Sequence, residues 1–358
     1  MKKSAVVLTN GLFDTAFAKT AHGLVRGPSR YRLLGIIDGP GSTGGERDAG
    51  EMLDGRRRTI PMFASLASAL ERLAEKPDYC VVGVATVGGV LPPEVRGDLL
   101  AAVEDGISLV NGLHQLLADD DELASTARRT GAELIDLRRT RPVKELRFWS
   151  GQVLQVATPR VAVIGTDCAI GKRTTAGLLL QALRDRGTRT ELVYTGQTGW
   201  LQGFPHGFIL DATPNDFVSG ELERAILDCQ QETDPELILL EGQAALRHPA
   251  GPCGSELILS GGAAGVILQH APGRQFFEDL DAEGCESPAL AEEILLIRLL
   301  GADVWAVSLN TAGLQPGQAS EIQRQLSEEL GLPIVLPLND DAAELAKVVT
   351  ARIAGRPE

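Results

Sequence analysis

The stretch Val161 to Gly187, VAVIGTDCAIGKRTTAGLLLQALRDRG, decides how the chain is read. A β-branched, apolar run leads into Gly165. Six residues later Gly171 and Lys172 open a segment with helical apolar spacing. Glycines at a strand-to-helix junction let backbone amides turn inward, and the helix that follows aims its unbonded N–H groups at an anion. Lys172 is placed to reach outer phosphates. The expected phosphate loop is therefore Gly165, Thr166, Asp167, Cys168, Ala169, Ile170, Gly171, Lys172, Arg173 and Thr174. In nucleotide-hydrolysing loops of this kind a Ser or Thr after the lysine holds Mg²⁺. Arg173 stands there, and a guanidinium has no acceptor for a metal. Thr174 and Thr175 carry hydroxyls, but each further residue turns about 100° around the helix.

Working outward, strands VAVIGT, TELVYTG, LILLEGQ, GVILQHA, VWAVSLNT and LPIVLPL alternate with helices expected at 172–186, 217–230, 288–300, 319–330 and 341–353. Upstream, AVVLTNG, RLLGIIDGPG, YCVVGVA, ISLVNG and AELIDLR form a second series of β-α repeats. Continuous apolar strands with helices between them predict parallel sheets covered on both faces. Between the two series, the segment RRTRPVKELRFWSGQVLQVATPR breaks the rhythm. The expected organisation is a Rossmann-like domain over 1–145, a linker at 146–160 and a P-loop NTPase-like domain over 161–358.

At 358 residues, 44% of them hydrophobic and 23% charged, the chain has ordinary globular composition and room for two cores. A formal charge of -14 argues against nonspecific nucleic-acid binding and against an anionic membrane surface. The five cysteines include no CxxC pair. The start, MKKSAVVLTNGLFD, reads as a first strand rather than a signal peptide, and no apolar run reaches membrane-spanning length. These features predict a cytoplasmic protein acting on a small molecule, without nucleic-acid or membrane partners. A homo-oligomer is the expected assembly for a metabolic α/β enzyme of this size.

Further candidates follow strands, where doubly wound folds collect ligand residues. YTGQTGWL supplies Thr195, Gln197 and Thr198; DATPNDFVSG supplies Asp211 and Asp216, the latter equally suited to a helix N-terminus. LILLEGQAALRHP ends an apolar strand on Glu241, with Gln243 and His248 beyond. Glu241 suits a base, a Mg²⁺ organiser or a salt bridge to a loop arginine. In the first domain, Asn111 and His114 follow a strand beside Gly88 and Gly89, and either face a ligand or cap and pack a helix. The first turn has only Gly11, so a dinucleotide fingerprint is lacking, and Asp38 is expected to cap its loop.

The loop GTDCAIGK resembles that of dethiobiotin synthetase and its amidotransferase relatives, which use ATP. Taken together, VVGVATVGGVLPPE, GISLVNGLHQLLADDDEL, GAELIDLR, GTDCAIGK, YTGQTGWL, DATPNDFVSG and LLEGQAALRHP resemble a bacterial two-domain family, long of unknown function, that includes D-glutamate N-acetyltransferase. The resemblance runs in order over roughly residues 1–345. It implies a Rossmann-like domain joined to a P-loop domain, and acetylation of D-glutamate or a related acidic amino acid from acetyl-CoA. On that basis the loop holds the coenzyme's phosphates. From their chemistry and strand-end placement, Glu241 or His248 is the candidate base, Gln197, Thr198 or loop amides are the candidate oxyanion donors, and Asn111, His114, Thr195 and Asp211 are the candidate substrate contacts. No metal is expected. The rivals are an ATP-dependent ligase or kinase, with Lys172 on the phosphates and Mg²⁺ near Glu241 and Asp167 with Thr174 as a displaced ligand, and a nucleotide sensor. The segment PAGPCGSELILSGGAAG after His248 departs from the shorter link of the acetyltransferase branch.

Overall fold

The computed structural model describes residues 2–39, 47–315, 317–339 and 342–355. Most of the Gly-rich stretch 39–45, which reads as a loop after Asp38, and the start of the helix expected at 341–353 lie outside them. The chain divides into two compact units. One comprises Met1–Arg141 with Gln197–Phe204; the other comprises Pro142–Gly196 with Pro205–Glu358.

In the first unit, strands β1 (Ser4–Leu8), β2 (Arg32–Ile37), β3 (Met62–Phe63), β4 (Tyr79–Val82), β5 (Ser108–Asn111) and β6 (Leu134–Asp136) form one sheet. Its order is β3-β2-β1-β4-β5-β6, and every pairing is parallel. This is the doubly wound order, with its reversal between β1 and β4. All five residues of β1 are buried, as a central strand covered on both faces requires. The turn after β1 closes on Asp38, whose carboxylate accepts from Thr9 Oγ1 (2.7 Å), Gly11 N (3.0 Å) and Phe13 N (3.0 Å). The amides that a dinucleotide's phosphates would use are thereby taken up by the protein itself.

The second unit carries β7 (Arg160–Gly165), β8 (Thr190–Val193), β9 (Leu237–Glu241), β10 (Gly265–His270), β11 (Val304–Leu309) and β12 (Ile334–Val335). Their order is β12-β11-β10-β7-β9-β8, again parallel throughout. One face of this sheet carries a core in which Ala162, Ile164, Leu240, Val266 and Leu268 form one cluster with Leu222, Ile226 and Ile297 from the helices. Chain order reverses at β7, which has β9 on one side and β10 on the other. The turns leaving all three strands therefore open at one carboxyl edge, the usual place for a ligand in such sheets.

The basic segment between the two series is docked on the second unit. Arg147 N donates to Glu221 (3.0 Å), Ser150 N to Glu223 (2.6 Å) and Trp149 Nε1 to the Ser260 carbonyl (3.0 Å). Phe148 and Trp149 stay exposed, but the backbone of the segment expected as a linker is fixed by helix carboxylates.

Candidate phosphate-loop site

The loop after β7 is shaped by its glycines. Gly171 has φ 100°, a left-handed conformation that side chains resist, and it forms the N-cap of the helix Lys172–Asp185. At Gly165 a Cβ would come within 2.9 Å of Ile170 Cδ1 and 3.0 Å of Lys172 Cδ, so the strand end must be bare for the loop to fold over it. Ala169 also takes a positive φ, 49°.

Neighbouring strand ends hold the loop. Thr166 N donates to the Gln269 carbonyl (3.0 Å), and Thr166 Oγ1 bonds His270 Nδ1 (3.0 Å). Asn310 Nδ2 donates to the Ile170 carbonyl (2.9 Å), and Thr175 Oγ1 to Gln269 Oε1 (2.6 Å). Burial pulls the His270 imidazole down to about 4, so it is neutral at ordinary pH. The Thr175 hydroxyl is spent on Gln269, and Thr174 is half-buried.

Lys172 departs from expectation. As a group waiting for phosphate it would have no internal task, but it is buried and Nζ donates to the carbonyls of Asp167 (2.5 Å) and Ala244 (2.7 Å). It ties the loop after β7 to the loop after β9. The reason is electrostatic: an ammonium covered by protein must find acceptors, and the carbonyls nearest the fold of the loop provide them.

Arg173 departs as well. Rather than adding free positive charge beside the loop, its guanidinium pairs with the carboxylate of Glu241 at the end of β9. The side chains are 17% and 4% exposed. The other Glu241 oxygen accepts from Thr195 N (3.1 Å), while Thr195 Oγ1 donates to the Glu241 carbonyl (2.7 Å) and accepts from Gln243 Nε2 (3.0 Å). Burial lowers the Arg173 guanidinium to about 9, which leaves it charged near neutrality. Of the readings open for Glu241, the salt bridge is the one seen, and its arginine comes from the helix rather than a loop.

Asp167 forms a second charged centre. It accepts from Cys168 N (2.6 Å), Arg274 Nη1 (2.7 Å) and Glu278 N (3.0 Å to Oδ2). His248 is buried, packs edge-on against Phe277 with ring centres 5.0 Å apart, and accepts from Ala250 N at Nδ1 (3.3 Å).

Thus Lys172, Arg173, Thr195, Asp167, Glu241 and His248 meet within the second unit. The remaining candidates have other immediate surroundings. Gln197 and Thr198 fall in the first unit. With its amide oriented to satisfy both neighbours, Gln197 donates to the Gly112 carbonyl (2.9 Å) and accepts from Arg138 Nη1 (3.2 Å), and Thr198 packs its methyl against Gly23. Asn111 is fully buried and spends its amide on the Gln115 carbonyl (2.9 Å), Asp136 (2.8 Å) and Leu113 N (3.0 Å). Gly89 makes room for His114, which is itself exposed. Asp211 sits exposed on the turn Leu210–Ala212, and Asp216 lies in the first turn of the helix Asn215–Thr233, where a negative charge suits the helix end.

His270, Arg274 and Asn310 belong to the site but were not singled out from the sequence. The signal was present: QHAPGR follows the apolar run GVIL as directly as EGQ follows LILL.

Two parallel-sheet units, one in Rossmann order and one built around a phosphate loop, define the class of the protein. The chain belongs to the DUF1611 family. The family's domain of unknown function described as a P-loop domain matches residues 147–346, and its Rossmann-like domain matches residues 42–140. A DUF1611 family protein from Anabaena variabilis has a crystal structure that superposes with a TM-score of 0.86 at 29% identity, covering 98% of this chain and 99% of that one. Two relatives carry the name D-glutamate N-acetyltransferase. The one from Pseudoalteromonas sp is 32% identical over 73% of this chain and 77% of its own length. The one from Tritonibacter scottomollicae is 30% identical over 76% and 80%. Among the described residues no helix is long and apolar enough to cross a membrane.

Proposed function

We propose that the protein transfers the acetyl group of acetyl-CoA to the amine of an acidic amino acid, D-glutamate being the first substrate to test. The observation that carries this reading is the buried Arg173–Glu241 pair. Phosphoryl transfer at a P-loop needs a magnesium ion held near the loop by a hydroxyl and a strand-end acid. Here the residue after the lysine is an arginine, the strand-end acid is already neutralised by it, and the Thr175 hydroxyl is committed to Gln269. A coenzyme's phosphates need no such ion, since amides, Lys172 and the helix N-terminus suffice to hold them. The names of the two relatives support the same choice.

In this reading Lys172 exchanges the carbonyls of Asp167 and Ala244 for phosphate oxygens. Glu241, with both oxygens engaged, positions Arg173 and Thr195 and does not take the amine's proton. The substrate nitrogen, as the free amine, attacks the thioester carbonyl, the carbon–sulphur bond breaks, and the proton lost by the nitrogen ends on the departing sulphur, so that CoA leaves as the free thiol.

The test is incubation of the full chain with D- and L-amino acids, with acetyl-CoA in one arm and ATP with Mg²⁺ in the other. Expected are thiol release, a product heavier by one acetyl group and no need for ATP. ATP consumption coupled to product would overturn the proposal in favour of a ligase or kinase. Binding of nucleotide without turnover in either arm would favour a sensor.

A further inference from the structure

We propose that the second unit binds one divalent transition-metal ion, zinc by preference, between Asp167, Cys168 and His248. These side chains offer a carboxylate oxygen, a thiol sulphur and an imidazole nitrogen that all lie within 4.8 Å of one another. Asp167 and Cys168 are neighbours on the loop after β7; His248 comes from the loop after β9. His248 Nε2 stands 3.6 Å from Asp167 Oδ1. The residue is 5% exposed, and Nε2 has no hydrogen-bond partner. A buried ring nitrogen left without a partner calls for an explanation, and convergence on a carboxylate and a thiol supplies one.

The surroundings are those of a ligand set already oriented. Arg274 and the Glu278 N–H fix the Asp167 carboxylate, and Phe277 packs against the imidazole. Partners of this kind hold metal ligands in place and are part of what sets affinity. One oxygen, one sulphur and one nitrogen suit zinc or cobalt(II); magnesium and calcium prefer oxygen alone. Three protein ligands leave a fourth tetrahedral position for water or for an oxygen of a bound molecule. Coordination through Nε2 puts the ring proton on Nδ1 and opens the long contact with Ala250 N. The thiol gives up its proton as the ion enters, so uptake strengthens as pH rises. This site stands whether or not the acetyl-transfer reading holds, because its readout is the ion itself.

The experiment is metal uptake by the full-length chain, stripped with chelator, desalted and then offered zinc chloride alone. About one zinc per chain is expected to survive a second desalting, as a three-ligand site of this type implies. Cobalt(II) in its place should show a thiolate-to-metal charge-transfer band with tetrahedral ligand-field absorption. Cys168→Ser and His248→Gln should each weaken zinc binding by roughly 100-fold or more, at or above the upper end of losses known for supporting residues. Cys285→Ser, outside the cluster, should not. Uptake well below one ion per chain overturns the proposal, and so does full uptake by both variants. Should a variant fail to fold, the wild-type cobalt spectrum decides alone: no thiolate band, no site.

Discussion

Replacing Arg173 by Met tests the central pair, because the cost follows from burial. The methionine fills most of the arginine's stem but removes the guanidinium, leaving the Glu241 carboxylate 4% exposed with the Thr195 N–H as its remaining contact at 3.1 Å. Removing one partner of a buried pair costs about 3–5 kcal/mol, since the other charge stays desolvated and uncompensated. Glu241→Gln should cost less, about 1–3 kcal/mol, because the amide still accepts from Thr195 N and Arg173 keeps some access to water. The double variant Arg173→Met/Glu241→Leu should recover most of the loss, as apolar replacement of a whole buried pair is often near neutral.

Urea unfolding of the full chain, followed by circular dichroism and tryptophan fluorescence, measures all three. Trp305, 4% exposed on β11, reports the second unit. A loss of this size in a unit of some 200 residues lowers its melting temperature by roughly 6–20 °C. If Arg173→Met costs less than about 1 kcal/mol, the range of a solvent-exposed pair, then the pair is not a buried anchor and the argument against magnesium falls with it.

Two other outcomes follow from the same site. Lys172→Ala should abolish binding of CoA and also lower stability by about 1–3 kcal/mol, because the Asp167 and Ala244 carbonyls lose their donor; calorimetric titration with CoA and thermal melts check both effects. His270 carries a pH signature. Its pKa is about 4 folded against 6.5 for the free side chain, so its contribution is constant above pH 6.5 and declines as pH falls toward 4. The decline reaches about 3 kcal/mol; the difference in unfolding free energy between wild type and His270→Gln across that window should show it, and parallel curves would refute it.

The fold was legible where the chemistry is periodic. Runs such as LILLE and VWAVSL are buried along their whole length, and only a central parallel strand asks for that. The two-residue strand Met62–Phe63 is too short to carry a period. The helix Lys19–Arg26 was missed because its buried face is Thr20, Ala21, Leu24 and Val25, half of it made of small or polar residues. The phosphate loop was readable because its glycines answer a backbone demand. The partners of its charges were not: Arg173 meets Glu241, and Asp167 meets Arg274, across many dozens of residues that local pattern does not connect. The surroundings of Gln197 and Thr198 were hidden for a related reason. Both residues follow β8 directly, yet the segment Gln197–Phe204 packs with the first unit, a choice made by tertiary contacts such as Gln202 Nε2 with the Gly23 carbonyl (2.9 Å).

The departures from a nucleotide-hydrolysing loop have a common consequence. Where a hydroxyl and a strand-end acid would share a magnesium ion, a guanidinium now occupies the acid, so the chain itself closes that position to the ion. Under the proposed function, phosphates are then held by the loop amides and Lys172 and stay unchanged through a reaction elsewhere on the ligand. At the proposed metal site, Asp167, Cys168 and His248 offer a mixed oxygen, sulphur and nitrogen set that prefers zinc to magnesium. A zinc ion there would meet phosphate oxygens as a static anchor. Both features fit the proposed retention of the ligand's phosphates, and under that reading removing the zinc should loosen the ligand before it alters the chemistry.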